Sequence, residues 1–230
     1  MSINKNIYNL VNENLAQILL LREDRVSKAD GSYVTKGDLF CQDLIIDYLK
    51  SQEDSFLVVS EEMDLTNFQY DETKNYVVID PIDGTENFTS GLKEWGISVS
   101  IFKEGKHQES MIMLPELGLG LITGDRPKKY SSRIHGLSSS LRSDQIKHFK
   151  DNFKVGCEYR ITGCCVYNMY NVITGSFSTS ENSQGAWVWD IIAGLNLALE
   201  QGLKVEVEGE EYRGEFLDPA KKYRFKIKNN

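Results

Sequence analysis

Apolar residues recur at three- and four-residue intervals at the start of the chain, at Ile3, Ile7, Leu10, Val11, Leu15, Ile18, Leu19 and Leu21, the spacing of one face of an α-helix. The stretch "REDRVSKADGSYVTKGD" breaks that rhythm with turn residues. Within it Thr35 can cap a second helix that has Asp38 in its first turn and Phe40, Leu44, Ile45, Tyr48 and Leu49 along its buried stripe. The period then shortens. "SFLVVSEE" (Ser55 to Glu62) and "NYVVIDP" (Asn75 to Pro81) read as short strands that each run into acid. "GISVSIFKEGKHQESMIMLPELGLGLIT" reads as three more, joined by turns at Lys103-Glu104-Gly105 and Pro115-Glu116-Leu117-Gly118. After a polar stretch around Ser131 to Ser143 come a helical segment, Asp144 to Phe153, and "KVGCEYRITGCC". "VYNMYNVITGS" and "DIIAGLNLALEQG" then have helical period. Two helices, a run of strands and then alternating helix and strand predict a layered α/β sandwich, not a simple parallel doubly wound sheet. With no repeat and no low-complexity linker, residues 1–230 read as one domain, an α+β half to about residue 130 and an α/β half from about 131. The closing "KKYRFKIKNN" alternates basic and apolar residues and fits an edge strand whose lysines block further pairing.

Charge and cysteine usage narrow the partners. A formal net charge of -8 argues against a nucleic-acid polymer or an anionic membrane as the main partner, because phosphate backbones attract an excess of Lys and Arg. It leaves room for a small phosphorylated substrate, since a bound cation inverts the local field. Cys41, Cys157, Cys164 and Cys165 form no C-x-x-C pair and have no His at ligand spacing, so neither zinc nor a disulfide framework is expected. "LAQILLL" has polar, acidic flanks and no small-residue cleavage site, and it is far short of the ~20 apolar residues a membrane span needs. Reduced thiols in the cytoplasm are the expectation.

Three acid-bearing segments stand at element ends: "SEE" with Glu61 and Glu62, "DPIDGT" with Asp80 and Asp83, and "WD" with Trp189 and Asp190. Each taken singly has a plainer reading, as a solvated turn, a Pro-Asp-Gly turn, or a core Trp beside a helix cap. Carboxylates at element ends can, however, converge on one point, and like charges a few ångströms apart resist joint ionisation unless a cation lies between them. An all-oxygen set without His or Cys favours Mg²⁺, with Mn²⁺ as the alternative, and Mg²⁺ commonly completes its shell with water and substrate phosphate. Gly84 and Thr85 follow Asp83 at the expected start of a helix, where free N–H groups suit a phosphate oxygen, and the Thr85 hydroxyl can help orient a water. His107, His135 and His148 lie in polar stretches away from these acids and read as surface residues. Cys164 and Cys165 read as small buried side chains.

"DPIDGTENF" resembles the D-P-[IL]-D-G-T-x-N-F signature of the inositol monophosphatase family. "SEE" is similar to that family's upstream acidic pair, "WDIIAG" to its W-D-x-[AI]-A-G, and "KADGSYVTKGD" to its early D-x-S-x-V-T-x-x-D segment. The order and spacing hold from the N-terminal helix to beyond Gly202. The resemblance implies the five-layered αβαβα sandwich of the sugar-phosphatase type and two or three Mg²⁺ ions. It implies Glu61, Asp80, Asp83, Asp190 and the Ile82 carbonyl as metal ligands, with Asp38 supporting a third ion. Glu61 and Thr85 would activate the attacking water, and Ile82, Asp83, Gly84, Thr85 and Asp190 would line the phosphate and substrate. The implied activity is hydrolysis of an inositol, polyol or sugar monophosphate without a phosphoenzyme, sensitive to lithium, in a protein that often forms homodimers. Two features bear on substrate. Ser183 stands seven residues before Asp190, where inositol-specific members carry a Glu, and Cys164, Cys165, Val166 and Ile192 replace smaller residues. "VSKADGSYVT" and "VVSEE" also resemble the 3'(2'),5'-bisphosphate nucleotidases, although "TENF" sides with the inositol branch. Action on adenosine 3',5'-bisphosphate is therefore one alternative, and a non-catalytic metal- or phosphometabolite-binding protein is another.

Overall fold

In the computed structural model, which describes residues 2–28, 31–66, 68–139 and 155–229, the chain opens with helices α1 (Ile3–Leu20) and α2 (Lys36–Lys50). The connection between them contains a hairpin, β1 (Arg25–Ser27) antiparallel to β2 (Tyr33–Thr35), where turn residues alone were expected. Thr35 caps α2 as its sequence predicts, and Asp38 completes a capping box.

Five strands make the first sheet, β3 (Leu57–Ser60), β4 (Tyr76–Asp83), β5 (Gly96–Lys103), β6 (Lys106–Leu114) and β7 (Leu119–Ile122), in that spatial order. The first pair is parallel and the rest are antiparallel. Both faces of β4 are covered. Val77 and Ile79 join a core with Ile7, Val11, Cys41 and Ile45 of α1 and α2. Tyr76 and Val78 join a second core built with helices α4 (Cys165–Ile173) and α5 (Val188–Glu200). A strand buried on both faces needs a continuous apolar run in place of strict alternation, which is why "YVVI" leads straight into the acids. The short helix α3 (Thr85–Thr89) follows β4 directly.

A second sheet contains β8 (Ile134–Leu137), β9 (Glu158–Ile161), β10 (Thr179–Trp187), β11 (Lys204–Val207), β12 (Glu210–Glu211) and β13 (Lys222–Lys228), in the order β12-β11-β13-β10-β8-β9. Helix α5 lies between the sheets, against β4, β5 and β6 on one side and β10, β11 and β13 on the other. It is accordingly apolar almost all round, with every residue from Val188 to Ala198 buried save Asp190. Its crossing with α4 is close enough that a Cβ at Gly194 would fall 2.0 Å from Met169 Sδ. The described residues thus form α, β, α and β layers of a mixed-sheet α/β fold; the expected helix Asp144 to Phe153 lies outside them.

Two expectations change. The C-terminal strand β13 is interior, bonded to β11 and β10, and is no edge. Two of its lysines answer acids on the neighbouring strands, Lys226 to Glu181 and Lys228 to Glu206, so these two are paired across strands instead of guarding an edge. "IHGL" and "TSENSQGAW", to which the sequence pattern assigned no element, are strands as well, and residues of both line a cleft. Among the described residues no helix is long and apolar enough to cross a membrane.

Candidate active site

The C-terminal end of β4 is where the acids gather. Asp80 is buried, its Oδ1 accepts the Ile82 N–H (3.0 Å), and its Oδ2 has no hydrogen-bond partner. One oxygen each from Glu61, Asp80 and Asp190 lie within 4.8 Å of one another. Glu61 follows β3, the parallel neighbour of β4, and Asp190 is the third residue of α5, where its Oδ2 accepts the Trp187 N–H (2.9 Å). Three elements distant in sequence therefore deliver three carboxylates to one point, and the helix start that holds Asp190 also rewards its negative charge.

Asp83 stands beside that triad, tied down from the other side. Its Oδ2 accepts the Cys164 S–H (2.9 Å) and the Val166 N–H, both at the start of α4. Cys164 Sγ in turn accepts the Tyr167 N–H (3.2 Å), so this thiol caps α4 and holds Asp83 at once. The approach of α4 depends on Gly96, the residue paired with Asp83 across β4 and β5: a Cβ there would fall 2.4 Å from Val166 Cγ1. Gly84 has φ +82°, and a Cβ on it would meet Cys164 Cβ at 3.0 Å, so the turn admits only glycine at this spacing. Asn87 of "TENF" ties the same corner together, donating to Glu94 O (2.6 Å) and Thr162 O (2.7 Å).

Thr85 Oγ1 donates to the Ile82 carbonyl (3.0 Å) and lies 3.4 Å from Asp38 Oδ1. Asp38 is fully buried and accepts from the Thr35 N–H (2.8 Å) and hydroxyl through Oδ2. Burial, opposed by those bonds, brings its carboxyl up to about 6. Burial also raises Asp83 to about 6 against the bonds from Cys164 and Val166. Asp80 is pushed well above the usual carboxylate range by burial and then by Glu61, Asp83, Asp190 and Asp38, and Asp190 likewise by burial, Asp83 and Glu61. Each shift has the same origin, negative charge crowded out of water without enough counter-charge.

Lys28 supplies part of that counter-charge. Its Nζ donates to Glu61 Oε1 (2.8 Å) and Glu62 Oε1 (2.6 Å). Burial alone would lower its ammonium, but the two glutamates hold it well above its ordinary value. Sequence reasoning missed this contact across 33 residues, as it missed the thiol on Asp83. The only local hint at Lys28 was a cation placed before a Gly-containing turn. A divalent cation fits the remainder of the site: the donors are all oxygen, and Asp80 Oδ2 is a buried acceptor lacking any donor. A cleft of about 220 Å³ opens beside Asp83 and Asp190 and runs past Asn168, Asn182, Trp187 and Lys222.

The sequence model described as the inositol monophosphatase family matches residues 1–129. The chain belongs to the inositol monophosphatase family. Among curated relatives of this family member, inositol monophosphatase 3 of Solanum lycopersicum is 24% identical over 192 residues, covering 74% of this chain and 71% of that protein. Among solved structures, the Thermotoga maritima IMPase superposes with a TM-score of 0.76 at 24% identity, covering 98% of this chain and 91% of the other. An IMPase/NADP phosphatase complexed with Mg²⁺ and phosphate superposes at 0.73 and 20% identity, covering 96% and 87%. The protein is a hydrolase of the inositol monophosphatase type, a metal-dependent phosphatase.

The histidines of this phosphatase are placed differently from expectation. His107 and His135 are half-buried, not surface residues. His107 Nε2 bonds Ser110 Oγ (2.7 Å) with its ring edge-on to Phe102, and His135 Nδ1 bonds Thr179 Oγ1 (2.6 Å) while stacking on Tyr159. Both serve strand packing. His148 lies outside the described residues. Cys164 is buried as expected, whereas Cys165 is half-buried and lines the cleft; burial and Asp83 hold both thiols well above their ordinary value.

Proposed function

We propose that this phosphatase hydrolyses the monoester of a small polyol or sugar phosphate, with Mg²⁺ held by Glu61, Asp80, Asp83, Asp190 and the Ile82 carbonyl, and Asp38 supporting a further ion. The observation that carries the reading is the orphaned Asp80 Oδ2 inside the Glu61–Asp80–Asp190 cluster. A fold that only needed a turn would not keep an unpaired buried carboxylate oxygen among like charges, at a cost of several kcal/mol. Bound Mg²⁺ supplies the charge that acidifies an attacking water and stabilises the oxygen that leaves phosphorus.

The chain's own residues do the rest. Thr85 has one hydroxyl proton and two acceptors, Ile82 O and Asp38 Oδ1. With that proton on either acceptor, Thr85 Oγ1 keeps a lone pair that can accept one proton of a water, and Glu61, held by Lys28, takes the water's other proton as its oxygen attacks phosphorus. The ester P–O bond then breaks, and the alkoxide leaves as an alcohol by taking up, through solvent water, the proton that Glu61 removed, which returns Glu61 to its carboxylate. The Gly84 and Thr85 N–H groups hold the phosphate oxygens.

Phosphate release from inositol 1-phosphate, fructose 1,6-bisphosphate and adenosine 3',5'-bisphosphate, with Mg²⁺ and with EDTA, tests this. Mg²⁺-dependent release by the natural chain and loss of at least about a hundredfold in Asp190→Asn are expected. The carboxamide oxygen that this substitution leaves can still accept the Trp187 N–H, so the fold should persist. Full turnover in D190N at saturating Mg²⁺ would remove Asp190 from the site.

A further inference from the structure

Lys222, an exposed residue, is among those that line the cleft beside Asp83 and Asp190. Lys222 and Trp187 are directly opposed residues of antiparallel β13 and β10, so their side chains share a face, and Lys222 Nζ lies over the indole, 4.9 Å from its centroid. Trp187 is itself fixed. Its ring stacks on Trp189 at 5.2 Å and 20°, and its backbone N–H is the donor to Asp190. The backbone is shaped for this pairing: the ladder between β10 and β13 is irregular between Asn182 and Ala186, and within that bulge Gly185 has φ +94°. A Cβ on Gly185 would meet Lys222 Cβ at 3.1 Å.

The neighbouring charges single Lys222 out. Glu181, which also lines the cleft, is paired with Lys226, and Lys221 is paired with Asp218. Lys222 has no acidic partner among the described residues. Position 183, in the same bulge, carries Ser and so brings no carboxylate to compete for the ammonium. The indole, already engaged by Trp189 and by Lys222, is a platform for the cation more than an open face for a flat ring. Resting on the phosphatase reading above, we infer that Lys222, steadied by Trp187, is a specificity-determining residue that takes a second anionic group, phosphate or carboxylate, of a substrate whose scissile phosphate lies at Asp83 and Asp190. The cleft therefore prefers a phosphate monoester that carries another negative charge to one that carries only hydroxyls.

Matched pairs test this: fructose 1,6-bisphosphate against fructose 1-phosphate, adenosine 3',5'-bisphosphate against adenosine 3'-phosphate, and 2-phosphoglycerate against glycerol 2-phosphate. They distinguish a second phosphate from a carboxylate and one scaffold from another. In at least one pair the natural chain should favour the doubly anionic member in kcat/KM, and Lys222→Met should shrink that preference by about tenfold, mainly through KM, while Lys222→Arg restores most of it. Calorimetric binding of the same compounds with Ca²⁺ in place of Mg²⁺ gives a readout that does not need turnover. There, K222M should weaken the doubly anionic compound about tenfold more than its partner. Equal losses for both members of every pair, or no preference in the natural chain, would overturn the role of Lys222. Absence of Mg²⁺-dependent release from all six compounds, with the binding preference intact, would instead count against the phosphatase reading and leave the anion site standing.

Discussion

Replacing Asp80 by Asn removes one negative charge from a cluster of three and should stabilise the metal-free protein while abolishing turnover. The Asn carbonyl oxygen can take over the Ile82 N–H, and its amide can donate toward Glu61 and Asp190 from the place of the orphaned Oδ2. Oxygens within 4.8 Å imply a repulsion of about 3.5 kcal/mol per charged pair at an effective dielectric constant near 20. The folded protein can escape part of this by keeping a proton, at a cost near pH 7.5 of at most about 5 kcal/mol for a carboxyl whose ordinary value is 3.8. A gain of about 3 kcal/mol in EDTA lies inside both bounds, and for a chain of this length it raises Tm by about 6–12 °C. The sign is fixed by linkage. Asp80 titrates higher folded than unfolded, so the natural chain binds its proton more tightly when folded and loses stability as pH rises from 3.8 through the raised value. The advantage of D80N should therefore be small near pH 4 and largest at neutral pH and above. Mg²⁺ should raise the Tm of the natural chain and leave that of D80N nearly unmoved. Melting curves by circular dichroism, with EDTA and with Mg²⁺ across that pH range, decide it. A D80N protein that melts below the natural chain in EDTA at neutral pH, or an advantage independent of pH, would refute the reasoning.

Other substitutions probe the supports of the site. Cys164→Ala deletes both the donor to Asp83 and the cap of α4 and should cost about 1–2 kcal/mol by urea titration, whereas Cys164→Ser, a better cap and a better donor, should lie within about 0.5 kcal/mol of the natural chain. Equal midpoints for the two variants would show that the thiol holds nothing. Gly96→Ala places a methyl against Val166 and the Met113 carbonyl, the latter 2.8 Å away, and should cost about 2–3 kcal/mol. Because the displaced segment carries the Val166 N–H, G96A should lower kcat at temperatures where circular dichroism still shows it fully folded. Retained kcat under those conditions would mean Asp83 does not need that donor.

What could be read from the chain divides by the range of the interaction that decides it. The helices α1 and α2, the cap at Thr35 and the turn at Gly84 are settled by near neighbours in sequence, and the acids of "SEE", "DPIDGT" and "WD" converge because each ends or begins an element. Strand β13 shows the opposite case. Its alternating lysines suit an edge until Glu181 and Glu206 are known to lie on the flanking strands, since a row of cations inside a sheet is tolerable only when the neighbours bring acids. Likewise "TSENSQGAW" lacks a strand's alternation because its residues serve a cleft on one side and a bulge at Gly185, and neither demand leaves a periodic trace. Lys28 and Cys164 belong to the same class. One neutralises Glu61 and the other steadies Asp83 across large sequence separations, and in both cases the partner, not the residue type, defines the role. The segments whose acids converge were thus legible from local pattern, while the groups that tune their charge became visible only when the sheets were assembled. By that logic the substrate's second contact should also come from a residue silent in sequence, and Lys222, unremarkable in "KKYRFKIK" and paired with Trp187 only in the sheet, has that character.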